Sequence, residues 1–173
     1  RHCVVKETAG SNGTVNIDMN VPTLPLQAVK PHDFSTSFDE MKLGVDWNYL
    51  RNPFMQQYSL TEKKVALPLK PTSVSLDDND SPTFAGRRQE HIDFSASTVM
   101  SLNNAKSGDE AGMTIFYSSQ AHYDLSLKKT EKGKNKLVLR YKMGILNHTA
   151  SEEEIPADTI YLKVEGNKDF YSF

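Results

Sequence analysis

The residues whose side chains could best take part in catalysis or binding lie in the segment "SPTFAGRRQEHIDFSAST", residues 81–98. Two arginines, a glutamine, a glutamate and a histidine follow one another there. The surrounding pattern predicts a strand, and a strand places alternate side chains on opposite faces. Arg87 and His91 are then expected on one face, and Arg88 and Glu90 on the other. Because side chains on opposite faces cannot converge on one substrate, the segment is not a catalytic cluster as a unit.

Other motifs that could carry chemistry are also weak. The acidic run "DDND" at Asp77–Asp80 superficially resembles a calcium loop, but it lacks the glycine and the distant bidentate glutamate of an EF-hand, so we interpret it as an acidic turn. The histidines show no HxH or HExxH spacing, and zinc is not expected. These histidines are His2, His32, His91, His122 and His148. No GxSxG elbow and no glycine-rich phosphate loop occurs. A catalytic carboxylate pair from separate strands cannot be read from the sequence.

Length and charge narrow the class of protein. The 173 residues, 38% of them hydrophobic, suffice for one domain with a sizeable core. A net charge of −2 gives no global field for nucleic acid or anionic lipid, and no run approaches the roughly 20 apolar residues of a membrane span. The single cysteine, Cys3, cannot form an intrachain disulfide and leaves the redox compartment open. The chain begins with Arg1, so we expect the natural start to lie upstream.

Two regions differ in composition. Residues 1–33 contain the turn-like "SNGTVN" and the segment "VPTLPLQAVKPHD", whose three prolines remove backbone donors and favour extended backbone. We predict a Pro-rich linker arm there. Residues 34–173 show short alternating runs and are predicted to form a β domain.

The alternating runs predict an all-β fold. In "YDLSLKK" the residues Tyr123, Leu125 and Leu127 share one face, and "KLVLRYK" repeats the period after the hairpin turn "TEKGKNK". Further strands are predicted at "TIYLKVEG", "VALPLK", "STVMSL" and "GMTIFYSS" from their β-branched and aromatic content. The acidic "SEEE" and the lysines around Gly133 are interpreted as solvated turns. About eight to ten short strands without a helical stripe indicate a sandwich or a barrel.

The order of several longer stretches resembles a known family. "LGVDWNYLRNP", "YSLTEKKVALPLK", "SPTFAGRRQEHIDFSASTVM" and "DEAGMTIFYSSQAHYDLSLKK" are similar to the C-terminal β-sandwich of family 43 glycoside hydrolases, the β-xylosidases and α-L-arabinofuranosidases. The resemblance runs from about Asp33 to Phe173. It implies a concanavalin-like jelly-roll of two antiparallel sheets, and it likens the Pro-rich arm to the linker that leaves the five-bladed propeller in that family.

The resemblance implies no catalytic residues in this chain, because the family's catalytic carboxylates lie in the propeller. It implies an accessory domain that braces the propeller of the same polypeptide, in an enzyme acting on xylan or arabinan-type plant polysaccharides. A periplasmic or secreted location fits that substrate, although the sequence leaves localisation unknown. No cofactor is implied, and a structural calcium ion is left open. In some members an aromatic-bearing loop of the sandwich, later than Phe173, reaches the sugar pocket. We therefore expect the domain to lack its last strands here, with "KDFYSF" as an incompletely covered strand.

Two roles are open for the polar residues of this domain. In the structural interpretation, one face of the "GRRQEH" strand is satisfied inside the sheet by hydrogen bonds and charge pairing. In the functional interpretation, five residues form a surface that contacts the propeller or an oligosaccharide, since aromatic rings stack on sugars and arginine forks bind hydroxyl and carboxylate groups. These residues are Trp47, Arg51, Arg87, Arg88 and His91. An independent carbohydrate-binding module is the alternative, although aromatic residues make up only 9% of the chain and most occupy alternating core positions.

Overall fold

A computed structural model describes residues 6–9, 15–18, 33–40 and 42–173. The chain divides into two units, Arg1–Ser35 and Thr36–Phe173. In the first unit, strands β1 (Lys6–Ala9) and β2 (Val15–Asp18) pair antiparallel. Apart from these two strands and residue 33, the linker arm predicted for residues 1–33 lies outside the described residues. The linker role therefore stays a prediction. No described helix is long and apolar enough to cross a membrane.

The described part of the second unit is built from antiparallel strands and one short 3-10 turn, Met55–Gln57. Its strands are β3 (Trp47–Asn48), β4 (Gly86–Arg87), β5 (Phe94–Ser101), β6 (Glu110–Ser118), β7 (Ala121–Lys129), β8 (Asn135–Met143), β9 (Leu146–Ile155), β10 (Thr159–Gly166) and β11 (Tyr171–Ser172). They form a four-stranded sheet in the order β6-β7-β8-β9, a three-stranded sheet in the order β11-β10-β5, and the ribbon β3-β4. The predicted all-β, concanavalin-like sandwich is confirmed.

The core lies between the two larger sheets. Leu125 and Leu127 of β7 are 8% and 0% exposed, and Leu162 and Val164 of β10 are each 2% exposed. These pairs occupy alternate positions, as the period-two pattern predicted. The ring of Tyr123, on the same face of β7 as the two leucines, lies 5.7 Å from the Tyr171 ring of β11, so aromatic contact joins the two sheets.

Three local predictions were wrong. "VALPLK" is not a strand: Pro68 has no N–H to donate, Val65 has a positive φ of 59°, and only Leu69 makes an isolated bridge, to Tyr58. "SEEE" is not a turn but part of the edge strand β9, whose side chains are exposed from Leu146 to Glu154. It reads as a turn because an edge strand exposed on both faces has no apolar alternation.

The third correction concerns "GRRQEH". Strand β4 ends at Arg87, and the backbone from Arg88 to Asp93 is irregular until β5 begins at Phe94. The predicted alternation of Arg87 and His91 against Arg88 and Glu90 therefore fails, since alternation requires continuous extended backbone. Arg87, Arg88 and Glu90 instead line one cavity.

Candidate contact surface and the ionic network beneath it

Residues 47–87, here called the covering segment, run from β3 to β4 and pack on the four-stranded sheet. At its two ends Trp47 pairs with Arg87 across the ribbon. In its interior the Tyr58 hydroxyl donates to the Phe84 carbonyl at 3.0 Å and accepts from the Phe84 N–H at 2.9 Å. The Phe84 ring lies 5.6 Å from that of Phe116 in β6. A two-sided hydrogen bond and a ring contact thus fix a stretch that contains almost no regular structure.

Tyr58 is suited to this role by its environment. Burial raises the pKa of its phenol, the hydrogen bond from the Phe84 N–H lowers it in part, and the net pKa lies above the ordinary value of 10.0. The neutral hydroxyl, which both donates and accepts, is therefore the form that the fold favours. The ring also meets Tyr49 edge-on at 5.0 Å.

Below the covering segment, a chain of charged and polar side chains crosses the face of the four-stranded sheet opposite the apolar core. We call it the ionic network. Its members, in the order of their contacts, are Ser126, Glu110, Arg140, Asp124, His122, Asp77 and Lys142. His122, Asp124 and Ser126 alternate along β7 and are 2%, 3% and 4% exposed. β7 is consequently buried on both faces, with apolar residues on one and this network on the other.

The guanidinium of Arg140 sits between two carboxylates. Its Nη2 lies 3.0 Å from Glu110 Oε1 and 3.2 Å from Asp124 Oδ2, and Ser126 donates to Glu110 at 2.6 Å. Burial alone would lower the pKa of Arg140, but the charges of Glu110 and Asp124 and the hydrogen bonds to them outweigh burial and raise it. Both carboxylates are therefore committed to one permanent cation.

The other half of the network ties the covering segment to the sheet. His122 Nδ1 lies 3.0 Å from Asp124, and its Nε2 lies 2.9 Å from Asp77 Oδ1. Lys142 Nζ reaches the same Asp77 oxygen at 3.1 Å. Burial raises the pKa of Asp77, but the hydrogen bonds and charges of Lys142 and His122 outweigh it and hold the pKa below 3.8. Asp77, the first residue of "DDND", is therefore an anchor and not only part of an acidic turn.

The structure brings some of the predicted contact residues together. Trp47 and Arg87 are cross-strand neighbours, Trp47 packs 5.6 Å from the Phe38 ring, and Arg87 lies 3.6 Å from Asp46. Arg51, in the left-handed region at φ 51°, donates to Asn79 and to the Asp80 carbonyl. Strain of that kind persists only where the surroundings hold it.

The remaining two predicted contact residues differ from each other. Arg88 lines the cavity beside Arg87. Among the described residues, the exposed His91 is hydrogen-bonded only through its backbone carbonyl, which accepts from Gln89 at 2.8 Å. Within the described ranges, His91 is therefore not joined to Trp47, Arg51 or the two arginines by any hydrogen bond or ion pair.

Sequence reasoning missed the ionic network. The available signal was the polar alternation of His122, Asp124 and Ser126 in a strand flanked by two others, since a central strand is rarely solvated on its polar face. Asp77 gave no such signal, because its approach to His122 spans 45 residues.

A metal centre is not formed by the described side chains: no group of three or more His, Cys, Asp or Glu residues among them is arranged to hold an ion. A structural calcium ion, which the sequence left open, is not tested by these residues.

Comparison with known proteins identifies the family. Residues 35–173 match the model of the β-xylosidase C-terminal concanavalin A-like domain, and the chain belongs to this family. It is 30% identical over 165 residues to the non-reducing end α-L-arabinofuranosidase BoGH43B of Bacteroides ovatus. It is also 32% identical over 132 residues, or 76% of this chain, to a xylosidase/arabinosidase of Butyrivibrio fibrisolvens.

Solved structures agree with this assignment. The GH43B protein of the Bacteroides ovatus xyloglucan locus superposes with a TM-score of 0.76 at 28% identity, over 95% of this chain. The GH43 protein BlXynB of Bacillus licheniformis gives a TM-score of 0.76 at 26% identity over 96% of this chain. This chain covers 34% of each of these structures and 31% of the Bacteroides ovatus arabinofuranosidase, so it spans about a third of their length.

Proposed function

We propose that this chain is the non-catalytic accessory β-sandwich of a glycoside hydrolase acting on xylan or arabinan-type plant polysaccharides, and that it braces the catalytic propeller of the same polypeptide. The observation that carries the proposal is the match of residues 35–173 to the β-xylosidase C-terminal domain, in a chain about a third as long as its relatives. Two matched relatives are named as an arabinofuranosidase and a xylosidase/arabinosidase, which supports the substrate class.

The chemistry of the ionic network supports a structural role. Glu110 and Asp124 both accept from Arg140, and Asp77 accepts from Lys142. A glycosidase acid needs a carboxyl group kept protonated beside a second, free carboxylate. All three carboxylates are engaged by cations and none of them is the free carboxylate of such a pair, so this network stabilises the sheet and its covering segment.

The covering segment and the turn after it are the bracing surface in this proposal, with Trp47, Arg51, Arg87 and His91 as contacts to the propeller and Arg88 as a contact to carbohydrate. An independent carbohydrate-binding module would need several exposed rings on one surface. The well-exposed rings lie on separate elements, such as Tyr117 on β6, Tyr161 on β10 and Phe170 before β11. The described residues thus favour bracing over an independent module.

The test compares the complete polypeptide that carries this chain with a version lacking residues 36–173. We expect removal to lower the thermal midpoint of the catalytic part and its activity, without changing the pH profile of the activity that remains. The 173-residue chain alone should not hydrolyse aryl xylosides or aryl arabinofuranosides. Turnover by this chain that a point mutation within it abolishes would refute the non-catalytic role, and an unchanged midpoint after removal would refute bracing.

A further inference from the structure

A small cavity opens beside the ribbon of β3 and β4. Its volume is about 200 Å³, and it is lined by Val45, Asp46, Asn48, Arg87, Arg88 and Glu90. The turn before β3 supplies one wall, where the Asn48 side chain donates to the Asp46 carbonyl at 3.0 Å. The irregular backbone after β4 supplies the other, and its departure from a strand is what lets Arg87 line the same cavity as Arg88 and Glu90.

Some of the polar groups of this cavity are paired with each other, and others have no partner among the described residues. Arg87 lies 3.6 Å from Asp46, so one guanidinium and one carboxylate already face each other. Arg88 and Glu90 make no hydrogen bond or ion pair with any residue of the described ranges. The cavity thus offers one unused fork of N–H donors and one unused carboxylate acceptor within a single small space.

We propose that this cavity binds one neutral pentose unit, with Arg88 donating to and Glu90 accepting from sugar hydroxyls. A hydroxyl is both a donor and an acceptor, so adjacent hydroxyls of a sugar satisfy a guanidinium and a carboxylate together. The choice of a pentose rests on the proposed function, since the matched relatives are named for xylose and arabinose units.

Charge and size select against other ligands. The lining carries two guanidinium groups and two carboxylates, so a phosphate or a uronate meets Asp46 and Glu90, and a cationic ligand meets Arg87 and Arg88. Pockets for drug-sized ligands usually enclose about 300 to 1,000 Å³, and this cavity is smaller, which suits one sugar ring. An open polar site of this kind binds weakly, with a Kd on the order of 1 to 10 mM.

The experiment titrates the 15N-labelled 173-residue chain with methyl β-D-xyloside, methyl α-L-arabinofuranoside and sodium glucuronate, and follows amide shifts. We expect the two pentosides to shift amides of residues 45–48 and 86–90. Arg88→Met and Glu90→Gln should each weaken this binding about tenfold or more, the loss expected for a charge-assisted hydrogen bond. The matched controls are Lys163→Met and Glu165→Gln. These two residues have the same charges and spacing on β10 but pair with each other at 2.6 Å, so their substitution should leave binding unchanged.

The pentose site is overturned if the pentosides shift no amides at about ten times the expected Kd, or if the shifts fall outside the cavity. The site is also overturned if the Arg88 and Glu90 variants bind the pentosides as tightly as the unsubstituted chain does, or if glucuronate binds more tightly than the pentosides. None of these outcomes touches the bracing role, which is measured by removing residues 36–173. Conversely, if the pentosides bind but removal of residues 36–173 leaves the thermal midpoint of the catalytic part unchanged, the pentose site stands and the bracing function is refuted.

Discussion

Single residues of the ionic network carry charges that the fold has partly or almost wholly removed from water. Arg140 is the centre of the network, since it alone faces both Glu110 and Asp124. Asp124 is 5% exposed at its side chain, and an unpaired carboxylate there would be strongly disfavoured.

We therefore expect Arg140→Met to destabilise the chain by about 2 to 4 kcal/mol. Breaking a fully buried ion pair typically costs about 3 to 5 kcal/mol, and the expected cost is lower here because Arg140 is partly exposed. Urea denaturation measures the change. Lys134→Met is the control: it removes an ion pair of 2.8 Å to Glu154 in which both side chains are more than half exposed, and it should have no measurable effect. Equal effects of the two substitutions would contradict a buried network.

Asp77 gives the network a dependence on pH. Its pKa is lowered below 3.8 in the folded chain, so its contribution to stability is fully present above the ordinary value and is lost as pH falls through the folded pKa. Asp77→Asn should reduce stability at neutral pH, and the difference from the natural chain should shrink below about pH 4. Denaturation midpoints of both proteins across this range check the prediction. A difference that stays constant into acid would show that the Asp77 charge is not involved.

For single side chains, the sequence shows which are polar and close together in the chain, but it does not predict which of them are in contact in the fold. Arg87 and Arg88 were identified as candidates, and they do line one cavity. The contact of His122 with Asp77 was not predictable, because the two residues are 45 positions apart and the fold alone brings them together.

Among the elements, the paired strands β6 and β7 leave no room for a side chain at Gly112. A Cβ at this position would lie 2.5 Å from the Ser126 Cα and would overlap the Leu125 carbonyl oxygen. Both are backbone atoms of β7, which cannot move aside as a flexible side chain would.

Gly112→Ala should therefore destabilise the chain by about 1 to 3 kcal/mol or more through overpacking. Gly44→Ala provides the matched control, because no atom lies within 4 Å of its added Cβ and its φ is not positive. Thermal unfolding of both variants measures the difference. If Gly112→Ala unfolds at the same temperature as Gly44→Ala, the strands are not as closely packed as described.

Element prediction succeeded where one face of a strand is apolar and failed elsewhere. "TIYLKVEG" corresponds to all of β10, since Ile160, Leu162 and Val164 alternate with exposed residues. "SEEE" in β9 has no apolar partner face, and two of its glutamates, Glu152 and Glu154, instead pair with Lys136 and Lys134 of the neighbouring hairpin. "VALPLK" has the composition of a strand, but a proline and a positive φ at Val65 prevent a ladder.

For the whole second unit, the family could be predicted from the sequence because the motifs that carry the resemblance are contiguous stretches. The packing of the sheets on each other depends instead on side chains that are far apart in the sequence. Tyr123 of β7 contacts Tyr141 of β8, Tyr171 of β11 and Phe173, with ring centroids 5.7 to 6.4 Å apart. This cluster links the four-stranded sheet to the short strand β11, which is paired to β10 through only two residues.

Tyr123→Ala should accordingly weaken the packing of the four-stranded sheet against the sheet that contains β11, as well as the local packing around residue 123. Removal of a largely buried ring costs about 2 to 4 kcal/mol, and the loss should fall first on β11, since its few backbone hydrogen bonds cannot hold it without the ring contacts. Hydrogen exchange of the Tyr171 and Ser172 amides should therefore quicken more than that of β7. Tyr161→Ala is the control, because Tyr161 is 64% exposed on β10 and its removal should change stability by less than about 0.5 kcal/mol. Unaltered exchange at β11 in Tyr123→Ala would mean that the sheets are held together without this cluster.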